Sequence, residues 1–107
     1  MHMRYVILDV YPSDRVDYVL AELNNWFRLL AGKDAIGVEL RVVKKYEIGR
    51  VIVGVPNPLV KYLRSAIVIV GRGNGTALVT VKVSGTMRKA LAIASSVQYL
   101  FHEFQNM

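Results

Sequence analysis

Three cations and two hydroxyls fall within eight residues: Lys82, Ser84, Thr86, Arg88 and Lys89, with Gly85 among them. Val79, Val81 and Val83 alternate with Thr80 and Lys82, the period-2 pattern of a half-buried strand. From Thr86 the apolar spacing turns helical, placing Met87, Leu91, Ala94, Phe101 and Phe104 on one face of a helix expected over 86–104. Ser84-Gly85-Thr86 therefore reads as a strand-to-helix turn. Ser or Thr supplies its N-cap hydroxyl, and Gly85 takes backbone angles that other residues resist. A helix N-terminus presents unpaired N–H groups and a partial positive charge, so it favours a phosphate. Arg88 and Lys89 oppose the helix dipole, which favours acids at that end. Proteins accept such local conflicts mainly at functional sites, and the chemistry implied here is anion binding. The plainer alternative is a capped helix carrying two solvated charges.

The elements that must hold this turn are legible from the start of the chain. Residues 4–10 are a nearly continuous apolar run and read as a central strand. Tyr11-Pro12-Ser13-Asp14 breaks it, and Ser13 or Asp14 can cap a helix whose first turn also holds Asp17. Val16, Val19, Leu20, Leu23, Phe27 and Leu30 then follow helical spacing to Ala31, with Gly32 as the residue after the helix and Trp26 beside the stripe. Residues 36–46 read as a strand with Val38, Leu40 and Val42 on one side. Tyr46-Glu47-Ile48-Gly49 is a hairpin connection, and Arg50 to Val55 the returning strand. Residues 59–70 carry both helical spacing and a β-branched run, and Asn57 as N-cap with Pro58 at the first helical position favours helix. The glycine-rich stretch 71–75 precedes a strand, the reverse of what a phosphate-cradling loop needs, so it is a turn. The order β-α-β-β-α-β-α implies an α+β, ferredoxin-like or RRM-like sandwich. It has a four-stranded antiparallel sheet and an extra C-terminal helix, which either lies across the sheet or docks a partner.

A chain of 107 residues with 53% hydrophobic and 21% charged residues can build one domain with its own core. It has no Cys, hence no disulfide or thiolate chemistry, which suits a cytoplasmic protein. No apolar run approaches the roughly 18 residues of a membrane helix. The net charge of +6 is uneven: residues 1–39 hold four basic and six acidic residues, and residues 40–107 hold ten basic and two acidic ones. That asymmetry points to a polyanionic partner.

Groups able to run a reaction do not converge. His2 and His102 lie at opposite ends of the chain, and Ser84 has no His or Lys placed to activate it. Asp9, Asp14 and Asp17 read as charges near the start of the first helix rather than as a metal site. Stacking-type RNA recognition needs aromatics on the third strand, and residues 50–55 have none. RNA contact would therefore be ionic, from loops and helix ends to phosphates. The candidate contacts are Lys82, Ser84, Gly85, Thr86, Arg88 and Lys89, with Lys44, Lys45, Lys61 and Arg64.

Val83-Ser84-Gly85-Thr86-Met87-Arg88-Lys89-Ala90 resembles the C-terminal signature of the ribonuclease P protein component 2 family, the archaeal relatives of the eukaryotic Pop-five subunit. Met87 stands where that family has Ile. Tyr5 to Val10, the long first helix, Val38 to Val55 and Leu59 to Val70 with Arg64-Ser65-Ala66 are similar to the family's preceding elements. The family often has a basic residue on the third strand about where Gly54 stands, which puts an RNA contact from that strand in doubt. The resemblance implies a subunit that is not itself the catalyst. It would bind the catalytic RNA that removes 5′ leaders from precursor tRNA, paired with protein component 3, commonly as a two-plus-two heterotetramer. Magnesium would sit on the RNA, and the protein would bind no cofactor or membrane. The alternative from another class is a ferredoxin-like small-molecule-binding or regulatory module that homodimerises through its sheet.

Overall fold

The computed structural model describes residues 2–72 and 75–101. Four strands and three helices follow in the expected order: β1 Met3–Tyr11, α1 Val16–Ala31, β2 Arg41–Lys45, β3 Arg50–Pro56, α2 Val60–Val70, β4 Ala77–Ser84 and α3 Met87–Ser96. The sheet order is β2-β3-β1-β4, with every neighbouring pair antiparallel. This is the α+β, ferredoxin-like arrangement.

Strand alternation splits the core into two layers. Val6, Leu8 and Val10 of β1 and Val51, Val53 and Val55 of β3 face one way. There they meet Val19, Leu23 and Phe27 of α1 and Leu63 and Ala66 of α2. Ile7 and Ile52 face the other way, against Ala90 and Ala94 of α3, with Leu91 and Ile93 half-buried beside them. The apolar residues of β3 thus serve both layers, and α3 lies across the sheet. Its alanines allow close approach of helix to strands.

α1 has its predicted span, with Ser13–Arg15 as a preceding 3-10 turn and Gly32 ending it at φ +54°. Residues 59–70 resolve as helix, entered through a 3-10 turn at Asn57–Leu59 that holds Pro58. The second strand is shorter than 36–46. Val38 and Leu40 still pack on the helix-covered core, but only Arg41–Lys45 pair with β3. Val42, opposite Val53, is exposed and Val43 packs on the α3 side, and a bulge between Val42 and Lys44 then shifts the register so that Lys44 stands opposite Ile52.

The largest departure is the last helix, expected over 86–104 and observed over Met87–Ser96. Val97 is extended. The Arg50 guanidinium takes the carbonyls of Ala94, Val97 and Gln98 at 2.8, 2.5 and 3.1 Å, satisfying acceptors that a helix end leaves open. Asp9 Oδ2 accepts from the Leu100 amide at 2.9 Å. Phe101 therefore leaves the Met87–Ala94 face and stacks near Tyr99 and Tyr11 instead. Phe104 and His102 lie outside the described residues.

Asp9 is likewise not a helix-start charge. It is fully buried on β1 and bonded through both oxygens to Arg50 of β3, its register partner.

Candidate nucleic-acid interface

β4 ends at Ser84 opposite Tyr5 near the start of β1, and β3 ends at Pro56 opposite Met3. Antiparallel pairing thus gathers the start of β1, the entry to α2 and the entry to α3 at one end of the sheet. The Ser84-Gly85-Thr86 turn is built there as the sequence implies. Thr86 is the N-cap of α3, its hydroxyl accepting from the Lys89 amide at 3.2 Å. Ser84 Oγ donates to the Thr86 carbonyl at 3.0 Å and accepts from the Thr86 amide at 3.3 Å. These bonds stiffen the turn and leave the Met87 and Arg88 amides at the helix start without an intrahelical acceptor. Arg88 and Lys89 are exposed beside them.

The role of Gly85 differs from the expectation. Its φ lies outside the left-handed region, so the backbone does not require glycine there. What the missing side chain supplies is room: a Cβ at Gly85 would lie 3.2 Å from Nη1 of Arg4. Arg4 belongs to the site, and sequence reasoning missed it. It shares parity with Val6 and Leu8 on the helix-covered face, but the sheet ends before α2 can cover it, so its guanidinium runs out along the sheet end. There its Nε donates to Asn57 Oδ1 at 2.9 Å. Asn57, expected as an N-cap, thus gives its side chain to Arg4, and the 3-10 turn has no side-chain cap. The local signal for either residue was nil, because the contact spans 53 positions.

Two adjoining open clefts flank this pair. One, about 320 Å³, is lined by Arg4, Asn57, Val60, Arg64 and Val83. The other, about 260 Å³, is lined by His2, Met3, Arg4, Asn57 and Gly85. Among the described residues no carboxylate lines either cleft. Arg4, Arg64, Lys82, Arg88 and Lys89 make no ion pair among the described residues. Lys61 sits in the first turn of α2 with its ammonium 5.2 Å from the Tyr62 ring centre. Asp34 is engaged elsewhere, accepting from the Tyr62 hydroxyl at 2.7 Å. That bond, followed by burial, raises the Tyr62 pKa.

The structure brings Arg88, Lys89, Lys61 and Arg64 to one end of the fold, while Lys82 is in register with Ile7 at the middle of β1. Lys44 and Lys45 lie on the opposite edge strand, β2, with Lys44 in the same row as Lys82 through Ile52 and Ile7. Lys45 is paired with Asp17 at 3.0 Å, and Lys44 rests 4.9 Å from the Tyr46 ring centre. On β3, Gly54 pairs with Tyr5, and a Cβ there would meet the Tyr5 ring and the Met3 methyl at 3.5 Å. That position offers no cation.

No protein-family model and no curated protein matches the chain. The site is thus defined by its geometry: an uncompensated basic end built around a capped strand-to-helix turn, suited to holding the phosphates of a polyanion.

Proposed function

We propose that this protein is an RNA-binding subunit of ribonuclease P. In that role it binds and stabilises the catalytic RNA that cleaves the 5′ leader from precursor tRNA. The observation that carries the reading is the gathering of Arg4, Arg64, Arg88 and Lys89 at one sheet end, around a turn whose sequence resembles that family's signature. Cations placed there lower the repulsion between phosphate strands brought close by RNA folding, and each one releases counterions on binding. The protein acts in the cytoplasm as the non-catalytic part of a ribonucleoprotein endonuclease. Magnesium held by the RNA and substrate supplies the hydrolytic chemistry, and protein component 3 is the protein partner, in a two-plus-two heterotetramer.

The test is omission. Catalytic RNA, its companion proteins and precursor tRNA are combined at fixed magnesium, with and without this chain. A marked loss of 5′-leader cleavage on omission is expected. Unchanged cleavage would sink the assignment and favour the homodimerising ligand-binding module.

A further inference from the structure

We propose that Arg4, Asn57 and Arg64 form a divided phosphate trough that seats consecutive phosphates of one RNA strand, one on each side of the Arg4–Asn57 pair. The inference rests on the RNA-binding reading for the identity of its ligand, and its test separates the two.

An arginine can only donate, so the Asn57 side chain must present its oxygen to Arg4 Nε. That fixes the orientation of the amide and leaves its NH₂ group as a donor toward the trough. It also ties down Arg4 through the nitrogen nearest its stem, so both terminal nitrogens remain available with no partner among the described residues. A guanidinium held in this way has already lost much of its side-chain freedom, so ordering it on binding costs less. Its Nη1 lies over Gly85, where any larger residue would press on it. Arg4 and Asn57 line both clefts. Arg64 closes the 320 Å³ side, and Gly85 with His2 borders the 260 Å³ side. Two adjoining clefts sharing one fixed, doubly available guanidinium, each roomier than a single phosphate, match a chain of repeating phosphates better than one isolated anion. Planar guanidinium forks complement phosphate oxygens in pairs. Arg88 and Lys89, at the start of α3 beyond Gly85, extend the same basic end.

The experiment follows backbone amide shifts of the full chain titrated with inorganic phosphate and, separately, with a twelve-residue oligouridylate. Three proteins are compared: wild type, Arg4→Gln plus Arg64→Gln, and Asn57→Asp. The last variant keeps an acceptor for Arg4 while adding a negative charge to the trough. Wild type should show shifts centred on 57, 64 and 85 with both probes. The double variant should bind the oligonucleotide at least about tenfold more weakly, with its log–log salt slope reduced by roughly 1–1.5, the release expected from two lost single-strand phosphate contacts. Asn57→Asp should also bind more weakly than wild type while remaining folded. Oligonucleotide affinity and slope unchanged in the double variant, with shifts confined to 82 and 86–89, would overturn the trough and leave the RNA-binding reading standing. Phosphate shifts at 57, 64 and 85 with no response to the oligonucleotide would overturn the proposal together with that reading.

Discussion

Asp9 and Arg50 face each other across β1 and β3 with both side chains fully buried, joined by Arg50 Nε to Asp9 Oδ1 at 2.6 Å and Nη2 to Oδ2 at 2.9 Å. The remaining polar positions are used as well, for Arg50 also holds three carbonyls of the chain leaving α3 and Asp9 holds the Leu100 amide. Burying two charges is costly, and the pair is tolerated because its donors and acceptors are satisfied. Removing one partner leaves the other charged and unpaired, so Arg50→Met should destabilise the protein by about 3–5 kcal/mol in urea unfolding. Joint replacement by Asp9→Leu and Arg50→Met should recover much of that loss. In both variants, amide exchange around 97–101 should rise, since nothing then ends α3 at Ser96. A cost of Arg50→Met within the ~0.2–1 kcal/mol typical of an exposed pair such as Lys45–Asp17 would refute this account.

Two glycines on β3 and its hairpin should respond in opposite directions to alanine. Gly49 has φ +111°, and a Cβ there would lie 2.6 Å from the Val10 carbonyl oxygen and 2.8 Å from the Tyr99 hydroxyl. Gly49→Ala should cost at least about 2 kcal/mol, from backbone strain and the displaced Tyr99. Gly54 has no positive φ, and its Cβ would meet Met3 and Tyr5 at an ordinary 3.5 Å. Gly54→Ala should be neutral or stabilise by up to about 1 kcal/mol, by restricting the unfolded chain. Chemical denaturation of the two variants checks both signs.

Tyr99 donates its buried hydroxyl to the Val10 carbonyl. Burial first, then the Asp9 carboxylate, raises its pKa to about 12. The protonated form is therefore favoured by folding. The associated stability is complete below the unfolded value near 10 and is lost as pH rises toward 12. The informative quantity is a difference between wild type and a variant that lacks only this hydroxyl. Between pH 10 and 12 the Tm of wild type should fall more steeply than that of Tyr99→Phe. Parallel curves would show that Tyr99 does not titrate in this way.

Removing Arg88 and Lys89 together by alanine substitution should weaken RNA binding and lower the salt slope by roughly 1–2 units. Lys44→Ala plus Lys45→Ala should change the slope less, since Lys45 is already paired with Asp17 and both lie on the edge strand opposite β4. Filter binding or fluorescence anisotropy over a salt series distinguishes the cases. An unchanged slope for the folded Arg88/Lys89 variant would remove the α3 entry from the interface.

Patterns that act over a few residues were readable directly. The apolar runs of β1 and β3, the period-2 pattern of β4, the helical stripe of α1 and the Thr86 cap all follow from neighbours in sequence, because burial on one face or both imposes its pattern on the chain. The element order then implied the ferredoxin-like sheet. The Ser84-Gly85-Thr86 turn and the cations after it were visible for the same local reason. Tertiary structure alone decided what depends on pairing across long separations. Register brought Arg4 to Asn57, 53 positions away, and made Gly85 a matter of space rather than of backbone angle. Pairing with β3 confined β2 to Arg41–Lys45, and a bulge shifted its register after Val42. Arg50, 44 to 48 positions before the carbonyls it binds, ended α3 where helical spacing alone would have carried it on. Periodicity reports which face of an element is apolar. It carries no information about a distant charged group that must find its partners inside the core, or about which side chains meet where strands end.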